Sequence, residues 1–130
     1  GLRHPRTRLL FQAASDALAQ LATELPFDLI LLDMANPLHP DTPYADPQFL
    51  AHIKRLLASG GLCVLPVSSP RLGAPQLPAP VAELNALFGK NNVRCYFANV
   101  PTFPFGLCGF ALCGQQAPHP FAASGRYRQL

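Results

Sequence analysis

The sequence predicts an α/β fold, a mostly parallel sheet with a final antiparallel strand. Three observations predict it. Residues 27–33, FDLILLD, form a continuous apolar run closed by an aspartate. A strand apolar on both faces belongs in the middle of a covered, mostly parallel sheet. Strand-like runs then alternate with stretches of helical periodicity, the pattern that builds parallel sheets. Finally, the runs 93–100 (VRCYFANV) and 109–114 (GFALCG) are joined too closely for a crossover, so this last pair must be antiparallel.

Each element has its own signal. TRLLFQ, residues 7–12, reads as a short strand. Ser15 or Asp16 is placed to cap a helix that carries Leu18, Leu21, Ala22 and Leu25 at helical spacing. After the 27–33 strand and a long loop, Asp46 is the cap of a second helix with Pro47 in its first turn. Phe49, Leu50, Ile53, Leu56 and Leu57 form its apolar stripe, and Gly60-Gly61 is placed to stop it. LCVLPVSS, residues 62–69, is the next strand. A proline-rich link over 70–80 leads into helix PVAELNALF, closed by Gly89. The predicted order is β-α-β-α-β-α-β-β, the pattern of a methyltransferase-type Rossmann-like sheet. Ligands of such sheets bind beyond the carboxyl ends of the strands. That directs attention to Asp33 and its loop, to 66–70, and to 101–106.

Composition narrows the function. The chain has 130 residues, 49% of them hydrophobic, enough for one domain with a real core. Residues 1–115 read as that domain and 116–130 as a polar C-terminal tail. Net charge is +3, and no stripe of Lys and Arg is interleaved with exposed aromatics, which argues against a nucleic-acid partner. No apolar run reaches membrane length and no secretory signal is evident, so the expected location is cytoplasmic with no membrane partner. Cys63, Cys95, Cys108 and Cys113 each sit in an apolar run without a CxxC pair, and read as free buried thiols. His4, His39, His52 and His119 have no ligand spacing, so no metal site is expected.

Three stretches carry a resemblance. FDLILLDMANPLHP, then PYADPQFLAHIKRLLASGGLCVLPVSSP, then VPTFPFGLCGFALCG follow one another in order over roughly residues 5–114. They resemble the polyamine aminopropyltransferases, the spermidine and spermine synthases, whose pattern runs YDVIIxDxxDPxGPA, LFxxxFYxxxxxxLxxGGxxxxQxxSP and xPTYPxGxxGFxLxS. The resemblance implies transfer of an aminopropyl group from decarboxylated S-adenosylmethionine, a co-substrate and not a tightly bound cofactor, to a polyamine or related amine. It assigns Asp33 as the carboxylate that accepts the proton of the attacking amine. It places Asp16, or Ser15, against the adenine amino group and Pro40 against the adenine ring. Asn36 and Phe103 fall at positions that touch the polyamine.

The departures from that pattern are specific. Asn36 stands where the family has a second acid, Phe103 where it has tyrosine, Pro66 where it has glutamine and His39 where it has glycine. Losing a carboxylate weakens the hold on a cationic amine. After Gly1 the first glycine is Gly60, so the glycine-rich loop that cradles the nucleoside is missing, and with it the family's first βαβ elements. The resemblance therefore implies a C-terminal segment of the enzyme, inactive by itself. The alternatives are an inactive relative serving as an interaction domain, or a relative using S-adenosylmethionine with a non-polyamine acceptor. A sheet cut in this way has an exposed edge. Such an edge predicts pairing, as a homodimer or with a missing N-terminal half.

Overall fold

Among the described residues, three helices and four strands form from these patterns. The computed structural model describes residues 4–24, 26–33, 46–68, 78–102 and 106–116. In chain order the elements are α1 (Ala14–Leu21), β1 (Phe27–Leu31), α2 (Pro47–Leu56), β2 (Leu57–Ser68), α3 (Pro78–Phe88), a 3-10 turn (Lys90–Asn92), β3 (Val93–Asn99) and β4 (Leu107–Gly114). The sheet order is β1-β2-β4-β3. β1 pairs parallel with β2, and β4 is antiparallel to both β2 and β3. Three strands therefore point one way and only the last runs back. The predicted fold class is what forms.

Helix α2 shows why the sequence folds as it does. The Asp46 side chain accepts the Gln48 backbone N–H at 2.9 Å, satisfying one of the orphan donors of the first turn. Phe49, Leu50, Ile53 and Leu56 recur at helical spacing and are all buried. They pack with Leu18 of α1 and Leu84 and Phe88 of α3 onto one sheet face, against Cys63, Leu65, Val67, Val93, Ala111 and Cys113. Helix α3 ends at Gly89, whose φ of 88° suits glycine. The Gly89 N–H donates to the Asn85 carbonyl, and the Asn92 side chain donates to the Phe88 carbonyl at 3.0 Å.

Several expectations are corrected. Residues 7–12 do not form a strand: among the described residues they have no neighbour to pair with, and Phe11 is 93% exposed. A strand needs a partner for its backbone groups, whatever its side chains prefer. Neither Ser15 nor Asp16 caps α1; its N-cap is Ala13, which makes no side-chain cap, and both residues lie within the first turn. Helix α2 ends at Leu56, before the glycines, because Leu57 already turns extended and pairs with Phe27. Gly60 and Gly61 instead shape the start of β2. Gly60 has φ 85°, and a Cβ on Gly61 would lie 2.7 Å from the Phe27 carbonyl oxygen.

The largest correction concerns β1. It is an edge strand, not a central one. Its fully apolar pattern leaves Leu29 53% and Leu31 67% exposed. These two side chains share a face with Leu62 and Val64, their partners across the β1–β2 ladder. Among the described residues, no helix covers that face. Cys95 is also exposed, because β3 is the other edge; the remaining three thiols are buried and free as expected.

Two substitutions check this packing by urea titration. Ile53→Ala, at 1% exposure, is expected to cost about 2–5 kcal/mol. Gly61→Ala is expected to cost roughly 1–3 kcal/mol, because its methyl group meets main chain that cannot move aside.

Candidate functional site

The carboxyl ends of β1, β2 and β3 lie at one end of the sheet, since the three strands run in the same direction. The Leu32 N–H donates to the Val64 carbonyl at 2.9 Å, which carries the β1–β2 pairing one residue past the strand. Asp33 follows at once. It is exposed, and it makes no hydrogen bond or ion pair among the described residues. The ladder positions its backbone, and among the described residues nothing occupies its carboxylate.

Helix α1 brings a second carboxylate to the same end. Its Leu18 joins the core cluster on the sheet, and β1 begins at Phe27, a short connection after α1 ends at Leu21, so the helix runs against that strand. Its N-terminus therefore lies where β1 finishes. Ser15 and Asp16 are both exposed in its first turn, and neither has a partner among the described residues. A carboxylate in a first turn is held favourably by the helix dipole. Asp46 reaches this end too, but its side chain is occupied in capping α2.

At the end of β3, the Val100 N–H donates to the Gly106 carbonyl at 3.0 Å, closing the base of the loop. Pro101 and Thr102 at its start are exposed. Pro66 lies in β2 opposite Phe110, next to a register shift before Ser68. A proline without an N–H is tolerated in an inner strand at such an irregularity. Pro66 is buried, so this position offers a ligand no polar group. Asn36, His39, Pro40 and Phe103 lie outside the described residues.

Sequence reasoning also missed a thiol ladder. Cys63 of β2 faces Cys113 of β4 directly, and Cys113 sits opposite Val93, two residues from Cys95. The Cys63 hydrogen bond raises the Cys113 thiol above its ordinary range, with burial and the Cys63 charge adding to it. Burial first, then Cys113, raises Cys95, which still reaches solvent. Each of the runs 62–69 and 109–114 carries one cysteine, and only the register showed that these two meet. Among the described residues there is no group of three or more potential metal ligands, and no helix is long and apolar enough to cross a membrane.

A sheet of this topology with free carboxylates beyond its parallel strand ends defines an α/β protein of the Rossmann-like class. Comparisons narrow it further. Residues 1–122 match the spermine/spermidine synthase domain, and the chain belongs to that family. It is 28% identical over 120 residues to spermidine synthase 2 of Arabidopsis thaliana, covering 91% of this chain and 34% of that protein. It is 28% identical to the polyamine aminopropyltransferase of Thermoplasma volcanium, covering 78% of this chain and 37% of that one. The chain thus spans a little over a third of these relatives. Among solved structures, it superimposes on a spermidine synthase in complex with the transition state analogue AdoDATO. The TM-score is 0.72 at 17% identity, over 88% of this chain and 38% of the other. A putative O-methyltransferase from Klebsiella pneumoniae shares the fold at a TM-score of 0.53, with 20% identity over 84% of this chain and 49% of the other.

The thiols give a direct check. A disulfide-exchange reagent is expected to titrate Cys95 alone in the folded chain and all four thiols in urea. The raised Cys113 thiol also makes stability pH-dependent. Its contribution is complete below the ordinary thiol value of 9.0 and is lost as pH rises above it, because the unfolded chain ionises first. The urea midpoint is therefore expected to fall on the alkaline side of that value.

Proposed function

We propose that this chain forms the C-terminal part of a site that transfers an aminopropyl group from decarboxylated S-adenosylmethionine to an amine. The observation that carries this reading is Asp33, exposed and without a partner among the described residues, immediately beyond the end of β1, in a chain of this family. A primary amine is protonated in water and has no lone pair to offer. A fixed carboxylate can hold the ammonium, take its proton and leave the nitrogen in line with the carbon beside the sulfonium. The new C–N bond forms as the C–S bond breaks, and the sulfur departs as neutral methylthioadenosine. Asp16, in the first turn of α1, is placed to accept a hydrogen bond from the adenine amino group, with Ser15 beside it. Pro40 lies against the adenine ring in this reading, and Asn36 and Phe103 line the acceptor side.

A second reading concerns the acceptor. Pro66 is buried and carries no polar group toward a ligand, which favours an amine less cationic than a polyamine, or another acceptor. Both readings use Asp33 in the same role.

The test places this chain in Arabidopsis spermidine synthase 2, in exchange for the part it matches. Asp33→Asn is expected to lower kcat by about 10²–10⁴ while leaving methylthioadenosine binding unchanged. Asp16→Ala is expected to weaken methylthioadenosine binding by roughly tenfold or more, the loss of one hydrogen bond to a charged group. Turnover indifferent to Asp33→Asn, with binding indifferent to Asp16→Ala, removes the reading.

A further inference from the structure

Helices α1 and α2 pack beside each other but do not fill the groove between them. A cavity of about 340 Å³ remains there, lined by Leu18, Ala19, Ala22, His52, Arg55 and Leu56. Packed helices close such a groove by interdigitating their side chains. Here α1 presents Ala19 and Ala22, which are too short to reach across. The space is in the range of small-molecule sites, which combine apolar walls with a few convergent polar groups.

The walls divide by chemistry. Leu18 and Leu56 are buried, and the two alanines extend their apolar surface. His52 and Arg55 stand one helical turn apart on α2, so both reach the groove. Neither has a hydrogen bond or ion pair among the described residues. The adjacent cation, Lys54, shows the contrast. Its ammonium donates to the Leu87 carbonyl and lies over the Phe88 ring, so it is committed to α3. Helix α1 supplies no counter-charge either. Asp16 lies in its first turn and does not line the cavity, and Glu24, just past the helix, is held by Arg8.

An apolar groove with two donors and no acid selects an anion with a hydrocarbon body. The Arg55 guanidinium can meet a carboxylate through two parallel N–H···O bonds. The His52 ring offers a donor N–H in either protonation state. Inorganic phosphate would meet the same donors but leave the apolar walls uncovered. None of the lining residues is aromatic, so leucine and alanine walls suit an alkyl chain better than a stacked ring. Ala22, Arg55 and Leu56 stand at the C-terminal ends of helices whose N-termini lie at the Asp33 end. The groove is therefore apart from the candidate transfer site.

We propose that the groove between α1 and α2 binds an alkyl carboxylate, its chain against Leu18, Ala19, Ala22 and Leu56 and its carboxylate on Arg55 and His52. The site does not depend on the aminopropyl-transfer reading.

Titration of the chain with octanoate tests it, followed by nuclear magnetic resonance at the Ala19 and Ala22 methyl groups. Both signals are expected to shift saturably, with a Kd in the millimolar range or tighter, as suits a ligand of so few atoms. Octanamide keeps the chain and loses the charge; inorganic phosphate keeps the charge and loses the chain. Each is expected to bind at least about tenfold more weakly. Arg55→Gln is expected to weaken octanoate by about tenfold or more, the loss of hydrogen bonds to a charged group. Ala19→Phe fills the groove from an exposed helix position and is expected to abolish binding, read at Ala22. Circular dichroism confirms that both variants fold. The proposal is overturned if octanoate gives no saturable shift, if octanamide binds as well as octanoate, or if either substitution leaves the affinity unchanged.

Discussion

The pairing of β2 with β4 is the constraint on which the rest of this structure depends. Cys63, Leu65 and Val67 of β2 lie beside Ala111 and Cys113 of β4, all at 0–2% exposure. A pleated strand sends alternate side chains to opposite faces, so one slip in this register would turn the whole column to the other side. Small residues in β4 leave room for α3, which packs against that strand, while α2 packs against β2. Ile53 and Leu84 are sealed in the same cluster. Because β4 inserts between β2 and β3, it holds β3 in the sheet from a direction that no parallel crossover could supply.

That arrangement also decides where chemistry can happen. With β1, β2 and β3 codirectional, their loops gather at one end. There Asp33 and Asp16 arrive from different elements, one from the end of an edge strand and one from the start of the helix leading into it. Asp46 reaches the same end and shows how chemically similar residues diverge. Its carboxylate is consumed by the Gln48 N–H, whereas those of Asp33 and Asp16 have no described partner. What separates a cap from a candidate ligand is the local backbone, which either presents an orphan donor or does not.

Much of this was legible in the residues. The stripe from Phe49 to Leu57, the Asp46 cap, the Gly89 stop and the closing hairpin are all local patterns, enforced by neighbours within a few positions. The motif around Asp33 was likewise legible because it is contiguous. The failures were also physical. Residues 7–12 have the side chains of a strand, but side-chain preference cannot supply the hydrogen-bonding neighbour that a strand requires. Gly60 and Gly61 look like a helix stop, yet Gly60 supplies a positive-φ position within β2 and Gly61 allows the close approach to the Phe27 carbonyl. The apolar run of β1 was read as a buried centre. It records the environment that the strand is suited to, not the one these residues by themselves provide.

The sequence by itself determined the types of the helices and strands from α1 to β4, the sense of each pairing, the family and the residues available for chemistry. These follow from local periodicity, capping and loop length. Only the tertiary structure decided that β1 lies at an edge, that helices α1, α2 and α3 share one face, that Cys63 meets Cys113, and that Asp16 and Asp33 come to the same end. Each of those depends on strand order and register, which bring together residues far apart in the chain. No local pattern encodes that order, because any strand of suitable composition can pair on either side until crossover handedness and packing choose one.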